Sequence, residues 1–314
     1  MHTGRIPVLR QFPIDNGEEL PLFVYPALEQ TGMVRHAFTT RQGGVSEGIF
    51  SSLNLSFTRG DRREDVAENY RRLARALGVD CESFVCSDQT HTTNVMRVGR
   101  EDRGNGVLRE RKFRDVDGLI TDEPGVTLVT YFADCVPLYF VDPIHHAIGL
   151  SHSGWRGTAA RMGQVTLEKM KQEFGTNAAD TFCAIGPSIC QSCYEVSEDV
   201  AEVFQAEFLG RESEILESKG KGKYQLDLWR ANEIVLLEAG VPREQITVTE
   251  VCTCCNPKLL FSHRASKGKR GNLAAVLALQ EEGDRVILTN ASTNALLKAQ
   301  EAFQGVAEEK LIKF

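Results

Sequence analysis

Residues 126–152 read Val126-Thr-Leu-Val-Thr-Tyr-Phe-Ala-Asp-Cys135-Val-Pro-Leu-Tyr-Phe-Val-Asp-Pro-Ile-His-His-Ala147-Ile-Gly-Leu-Ser-His152. Val126 to Phe132, Val136 to Val141 and Ala147 to His152 are the densest β-type runs in the chain, each of strand length and rich in branched and aromatic side chains. The turn signal Asp142-Pro143 lies near the midpoint between Cys135 and His152, so the second and third runs read as a hairpin. A two-residue loop of Pro143 and Ile144 would pair Asp142 with His145, and that register would set Cys135 opposite His152. Opposed residues share a face with Cβ atoms about 4.5–5.5 Å apart. A thiolate and an imidazole so placed can both reach one zinc at about 2.3 Å and 2.0–2.1 Å. Pro137 is the residue that works against this ladder.

Outward from that segment, strands and helices alternate. Leu20 to Tyr25 and Met33 to Thr40 read as strands, the second running into the glycine-rich turn Arg41-Gln-Gly-Gly-Val-Ser46. Asp61 to Gly78 is an amphipathic helix with Val66, Tyr70, Leu73, Ala74 and Leu77 on one face. Asp61 with Glu64 resembles a capping box, and Gly78 is the stop. Ser83 to Ser87 and Asn94 to Val98 read as strands with Gln89-Thr-His91 between them, and the charged segment Arg100 to Asp115 reads as an exposed loop before a strand around Leu119. Gly154-Trp-Arg-Gly157 leads into a helix ending near Phe174; Val196 to Phe208 and Leu226 to Ala239 are two more helices, and Ile246 to Cys252 alternates as a strand. No repeat or Pro/Ser-rich linker divides these elements, so residues 1–280 read as one mixed α/β catalytic domain. Residues 281–314 read as a strand-helix tail, Arg285 to Leu288 and then Thr293 to Leu311, whose apolar side needs a surface to cover.

The bulk numbers narrow the function. With 314 residues, 42% of them hydrophobic and 25% charged, the chain has the balance of a globular protein. A net charge of −7 and no basic stripe argue against a nucleic-acid partner. No run approaches the length of a membrane span and no signal peptide is evident, so the expected location is cytoplasmic, without a membrane partner. Nine cysteines in that setting read as thiols rather than a disulfide framework. Cys190 and Cys193 form a C-x-x-C and could join Cys252, Cys254 and Cys255 in a structural zinc site. Core packing is the stronger reading for them, because cysteine is among the most buried residue types.

A third ligand for the Cys135–His152 pair would come from His91, His145, His146 or His263. His91 lies in a loop dense with polar groups; His145 and His146 fall in the turn at the far end of the proposed hairpin and read as solvated; His263, next to Arg264, stays open.

At these residues the sequence resembles the bacterial multicopper polyphenol oxidoreductase or laccase-domain family, whose members are also called purine nucleoside phosphorylases and peptidoglycan editing factors. The resemblance runs in order through Thr40-Arg-Gln-Gly-Gly-Val-Ser46, Ser52-Leu-Asn-Leu55, Gln89-Thr-His91, Ala133-Asp-Cys135-Val-Pro137 and His152-Ser-Gly-Trp-Arg-Gly157. It continues through Ile185-Gly-Pro187, Cys193-Tyr-Glu-Val196, Leu226-Asp-Leu-Trp229, Cys252-Thr-Cys254 and Phe261-Ser-His-Arg264, covering roughly residues 20–280. It implies a layered sandwich of mixed β-sheets with helices outside, and a metal triad of His91, Cys135 and His152. Thr92, Ser153 and Lys269-Arg-Gly-Asn272 depart from the family pattern without removing a ligand.

The resemblance implies a zinc-dependent purine nucleoside phosphorylase acting on adenosine, inosine and methylthioadenosine with phosphate, and an adenosine deaminase side activity. Three protein ligands would leave zinc an open position for an activated water. Arg41, Arg156 and the amides of Gly43 and Gly44 are candidates for phosphate. Each has a second reading: Arg41 as partner of a carboxylate, Gly43-Gly44 as a tight turn, Arg156 as a helix-start anchor. Ser46 is grouped with them as substrate-binding. Asn54 and Gln89 suit ribose or base, or only backbone, and Asp134 suits either a strand-end role or the orientation of a ligating histidine. Copper-dependent polyphenol oxidation is the older reading of the family, but seven histidines with no His-x-His pair are a poor supply for several copper centres. A Cys135/His152 hydrolase, including one that edits peptidoglycan precursors, would use the same pair without metal.

Overall fold

The computed structural model describes residues 7–280. The tail read as a strand and helix lies outside the described residues. Two six-stranded mixed sheets form the body. The first runs, neighbour to neighbour, Val8–Pro13, Glu19–Val24, Val34–Thr39, Leu273–Leu279, Thr127–Phe132 and Phe84–Cys86. The second runs Ile246–Val248, Phe182–Ile185, Val136–Asp142, Ala147–Ser153, Gly118–Thr121 and Val95–Arg97. A small three-stranded sheet of Glu195–Ser197, Lys223–Leu226 and Leu216–Gly220 lies outside them.

Alternation along the central strands shows how the layers stack. Leu128 and Phe132 join Tyr139, Val141, Ile148 and Leu150 in the core between the two sheets. Their neighbours point the other way: Val129 packs with Val66, Tyr70 and Leu73 of the helix Arg63–Leu77, and Leu138 and Phe140 pack with Leu167, Met170, Ile234 and Val235 of the helices Met162–Phe174 and Leu228–Glu238. Strands covered on both faces read as continuous apolar runs, which is why residues 126–141 carry so little polar alternation. The result is helix, sheet, sheet, helix, the layered α/β sandwich expected.

Two local details that bear on the site differ from expectation. The helix at Arg63–Leu77 has no side-chain cap; the Asp61 carboxylate instead accepts from the Arg62 amide at 2.9 Å and from Asn54 Nδ2 at 2.8 Å. Its end is as read, with Gly78 at φ 62°. The hairpin is present, but Asp142 pairs with Ala147 and Pro137 with His152. Its loop therefore holds residues 143–146. Proline cannot take the positive φ that a primed two-residue turn demands at its first corner. Asp142 Oδ1 accepts from the amides of Ile144 and His145 at 2.9 and 3.1 Å, and His146 takes the left-handed conformation that closes the longer loop. The register moves by two residues, and a strand's period is two, so Cys135 and His152 remain on one face although they are not opposed.

Candidate active site

The chain passes between the two main sheets at Ala133–Cys135, from Thr127–Phe132 to Val136–Asp142, and again at residues 87–94, from Phe84–Cys86 to Val95–Arg97. Cys135 stands in the first crossing and His91 in the second, while His152 stands near the end of Ala147–Ser153. One ligand atom from each lies within 4.8 Å of the others. The two imidazoles meet edge to face at 5.0 Å between centroids. Gly154 permits the approach: a β-carbon there would lie 2.9 Å from His91 Cδ2 and 3.2 Å from Cys135 Sγ.

His91 has φ 68°, a left-handed conformation that costs a residue with a side chain on the order of 1 kcal/mol or more. The buried carboxylate of Asp117 holds it there. Asp117 accepts from the amides of Thr90, His91 and Thr92 at 3.0, 3.1 and 2.9 Å and from Thr92 Oγ1 at 3.0 Å. It also receives His152 Nδ1 at 2.7 Å. With Nδ1–H committed to Asp117, His152 leaves Nε2 as the nitrogen available to a metal, the arrangement usual for metal-binding histidines. One carboxylate thus orients two of the three triad members.

The charges in the triad reinforce one another. Burial alone would raise the Cys135 thiol, but His152 and His91 outweigh it and bring the thiol down to about 6. Burial alone would lower the His152 imidazolium, and the Cys135 thiolate and Asp117 carry it up to about 9. For Asp117, burial again opposes, and His152 with the loop amides holds the carboxyl below its usual range. Both shifts favour a Cys135 thiolate beside a protonated His152 in metal-free protein at neutral pH. After metal is stripped with a chelator, iodoacetamide should alkylate Cys135 at a rate that is flat from pH 8 to 7 and halves near pH 6. An ordinary thiol, with a pKa of about 8.5, slows nearly tenfold per pH unit across that range. Peptide mapping by mass spectrometry reads the rate at this cysteine; a tenfold drop from pH 8 to 7 would show that the thiolate is not stabilised.

His91 and Cys135 open into a cleft walled by Asp134, Trp155, Arg156, Ile189, Tyr194 and Leu228. Arg156 lies over the Trp155 ring at 4.3 Å, and Arg264 over the Tyr194 ring at 5.3 Å. Asp134 does not orient a histidine. Its carboxylate accepts from Thr253 Oγ1 at 2.6 Å and from the Arg264 amide at 2.7 Å, tying the crossing loop to residues 253–264.

Of the residues expected to bind substrate, Asp134 and Arg156 line this cleft, and the others are engaged in bonds or turns within the protein. Arg41 donates to the carbonyls of Ser51 and Pro257 at 2.8 and 2.9 Å and stacks on Phe261. The Gly44 amide donates to Ser52 Oγ at 3.0 Å, and Gly43 turns the chain at φ 84°. Ser46 Oγ accepts from Asn69 at 2.9 Å. Asn54 Oδ1 accepts from the amides of Ser56 and Asn272 at 3.1 and 2.9 Å. Gln89 makes a paired bond to the Tyr131 backbone at 2.7 and 2.8 Å, clamping the loop that carries His91 to the first sheet. His145 and His146 are exposed in the hairpin loop, as read, and His263 is outside the triad group.

Two residues of the site, Asp117 and Tyr194, and one within electrostatic reach of it, Arg270, carry no role in the local sequence pattern. Asp117 is marked only as the second acid of Asp115-Val-Asp117 before a strand. Tyr194 lies within Cys193-Tyr-Glu-Val196, where nothing local marks it for the cleft. Arg270 is half-buried with Nε unpartnered, and burial and the charge of Arg59 lower its guanidinium to about 10 against the pull of Asp134 and Cys135.

Known proteins share much of this sequence. Purine nucleoside phosphorylase YlmD of Bacillus subtilis is 37% identical over 246 residues, 78% of this chain and 88% of the relative. Adenosine deaminase RL5, from an unknown prokaryotic organism, is 34% identical over 230 residues, 73% of this chain and 87% of the relative. The crystal structure of YlmD from Geobacillus stearothermophilus superposes with a TM-score of 0.79 at 38% identity, covering 86% of this chain and 99% of that one. The model of the family described as multi-copper polyphenol oxidoreductase laccase matches residues 35–280, and to that family this chain belongs.

Proposed function

We propose that the chain is a zinc-dependent purine nucleoside phosphorylase acting on adenosine, inosine and methylthioadenosine, with an adenosine deaminase side activity. The observation that carries the proposal is the two-imidazole, one-thiolate triad, fixed by Asp117, at the base of a cleft with aromatic walls. The names of the B. subtilis and RL5 relatives point the same way. Two nitrogens and one sulfur suit zinc, and three protein ligands leave a position free for catalysis; thiolate also suits monovalent copper. Bound there, zinc would supply Lewis acidity and acidify water at neutral pH.

The chain's own groups supply the rest. Trp155 and Tyr194 offer aromatic surface to a flat purine. Arg156, in the cleft wall, and Arg270, whose Nε lacks a partner, are the cations we assign to phosphate, in place of Arg41. Holding phosphate against the glycosidic carbon would lower the barrier chiefly by orientation. His91 and Cys135 face the cleft and His152 stands behind them, so the base or its leaving charge is placed toward the triad. No helix among the described residues is long and apolar enough to cross a membrane, and we place the enzyme in the cytoplasm, where thiols stay reduced.

Inosine is the discriminating substrate because it carries no amino group to lose. With phosphate, purified protein should yield hypoxanthine and ribose 1-phosphate; without it, neither. Equal hypoxanthine in both samples would indicate hydrolysis and sink the phosphorylase reading. The thiolate–imidazolium pair of Cys135 and His152 favours one rival, a metal-free cysteine hydrolase. Full activity after chelation would select that rival.

A further inference from the structure

Cys190, Cys193, Cys252 and Cys255 bring their Sγ atoms within 4.8 Å of one another, apart from the triad. We propose that these four thiols form a second, structural zinc site that clamps two loops of the cleft wall. The sequence supplies them as two C-x-x-C pairs, Cys190-Gln-Ser-Cys193 and Cys252-Thr-Cys-Cys255, the spacing from which closed four-cysteine zinc sites are built. Cys193 Sγ and Cys190 Sγ lie 3.5 and 4.0 Å from Cys255 Sγ. Four sulfurs about 2.3 Å from a tetrahedral zinc stand about 3.8 Å apart. Burial raises the Cys252 thiol, and its sulfur accepts from the amides of Cys190 and Cys255 at 3.3 and 3.4 Å, donors that offset part of that cost once a metal takes the proton's place. Cys252 is buried and Cys255 exposed, so the group has an anchored side and a side open to solvent. Cys254, between the second pair, does not join the group. Core packing, the reading from sequence, accounts for Cys252 but not for four sulfurs turned toward a common point with one of them in water.

The location gives the site its purpose. Ile189 and Tyr194 line the cleft and flank Cys190 and Cys193. The Ile189 amide donates to the Asp134 carbonyl at 3.0 Å, and the Thr253 amide to the Ser188 carbonyl at 3.0 Å. Zinc bound to both pairs, with the thiol protons released to solvent, would lock residues 188–194 against 252–255 beside the loop that carries Cys135.

Metal counting on the full chain tests this. Wild-type protein grown with zinc and desalted should hold two zinc ions per chain by inductively coupled plasma mass spectrometry. The double variant C190S/C193S should hold one, and C135A, which removes the triad's thiolate, should also hold one. In C135A the triad retains only imidazoles, so cobalt substitution should still give the charge-transfer and d–d bands of a tetrahedral thiolate site. That arm stands even if the double variant fails to fold. A C135A protein that holds no zinc, no thiolate–cobalt bands in C135A, or disulfides among these four cysteines in freshly purified protein would overturn the proposal.

Discussion

Cys135→Ala should lower turnover of inosine on the order of a thousandfold while the chain stays folded, since the loss of about 4 kcal/mol of transition-state stabilisation corresponds to that factor. His91→Ala and His152→Ala should behave alike, because a site built on three protein ligands, as we propose for this triad, opens when any one is lost. Cys135 is the cleanest of the three. It lies in a crossing loop, partly exposed, so its truncation leaves no large cavity, whereas His152 is buried and its removal also abandons a bond to Asp117. Turnover, triad metal and circular dichroism should be measured on the same sample. A variant that keeps its fold, loses the metal and still turns over at the wild-type rate would remove the triad from the chemistry.

Asp117 is expected to matter almost as much, although it need touch neither metal nor substrate. Asn in its place keeps one oxygen but presents an amide donor where N–H groups already point. Loss of an orienting partner of this kind weakens metal binding roughly 10–100-fold. Asp117→Ala goes further and strips the acceptor from three amides, a hydroxyl and a buried imidazole. Water can reach the amides of this half-exposed loop, but the buried His152 ring loses its acceptor, and an unsatisfied buried donor costs about 1–3 kcal/mol, the loss expected here. Zinc affinity by competition with a chelator and stability by urea unfolding check the two variants. An Asn variant binding zinc within twofold of wild type would show that His152 does not depend on this carboxylate.

Much of the architecture was legible locally. The helix at Arg63–Leu77, its stop at Gly78, the central strands and the shared face of Cys135 and His152 all follow from period and turn chemistry, which a few neighbouring residues encode. Even the hairpin error was local: Pro143 rules out the primed turn on which the expected register depended.

Which distant polar groups meet was another matter. Arg41, Asn54 and Gln89 suited a ligand as well as backbone when read in a line, and only the packing of loops against the first sheet committed them to carbonyls and amides. Asp117 found His152 because the strands Gly118–Thr121 and Ala147–Ser153 are neighbours in the second sheet. Cys190 and Cys193 met Cys252 and Cys255 because Ser188 bridges to Cys252 across some sixty residues of intervening chain. The residue types and their local spacing were therefore settled by sequence alone. Their partners were settled by sheet order and crossing loops, since a hydrogen bond or a metal site depends on separations of a few ångströms that no periodicity records.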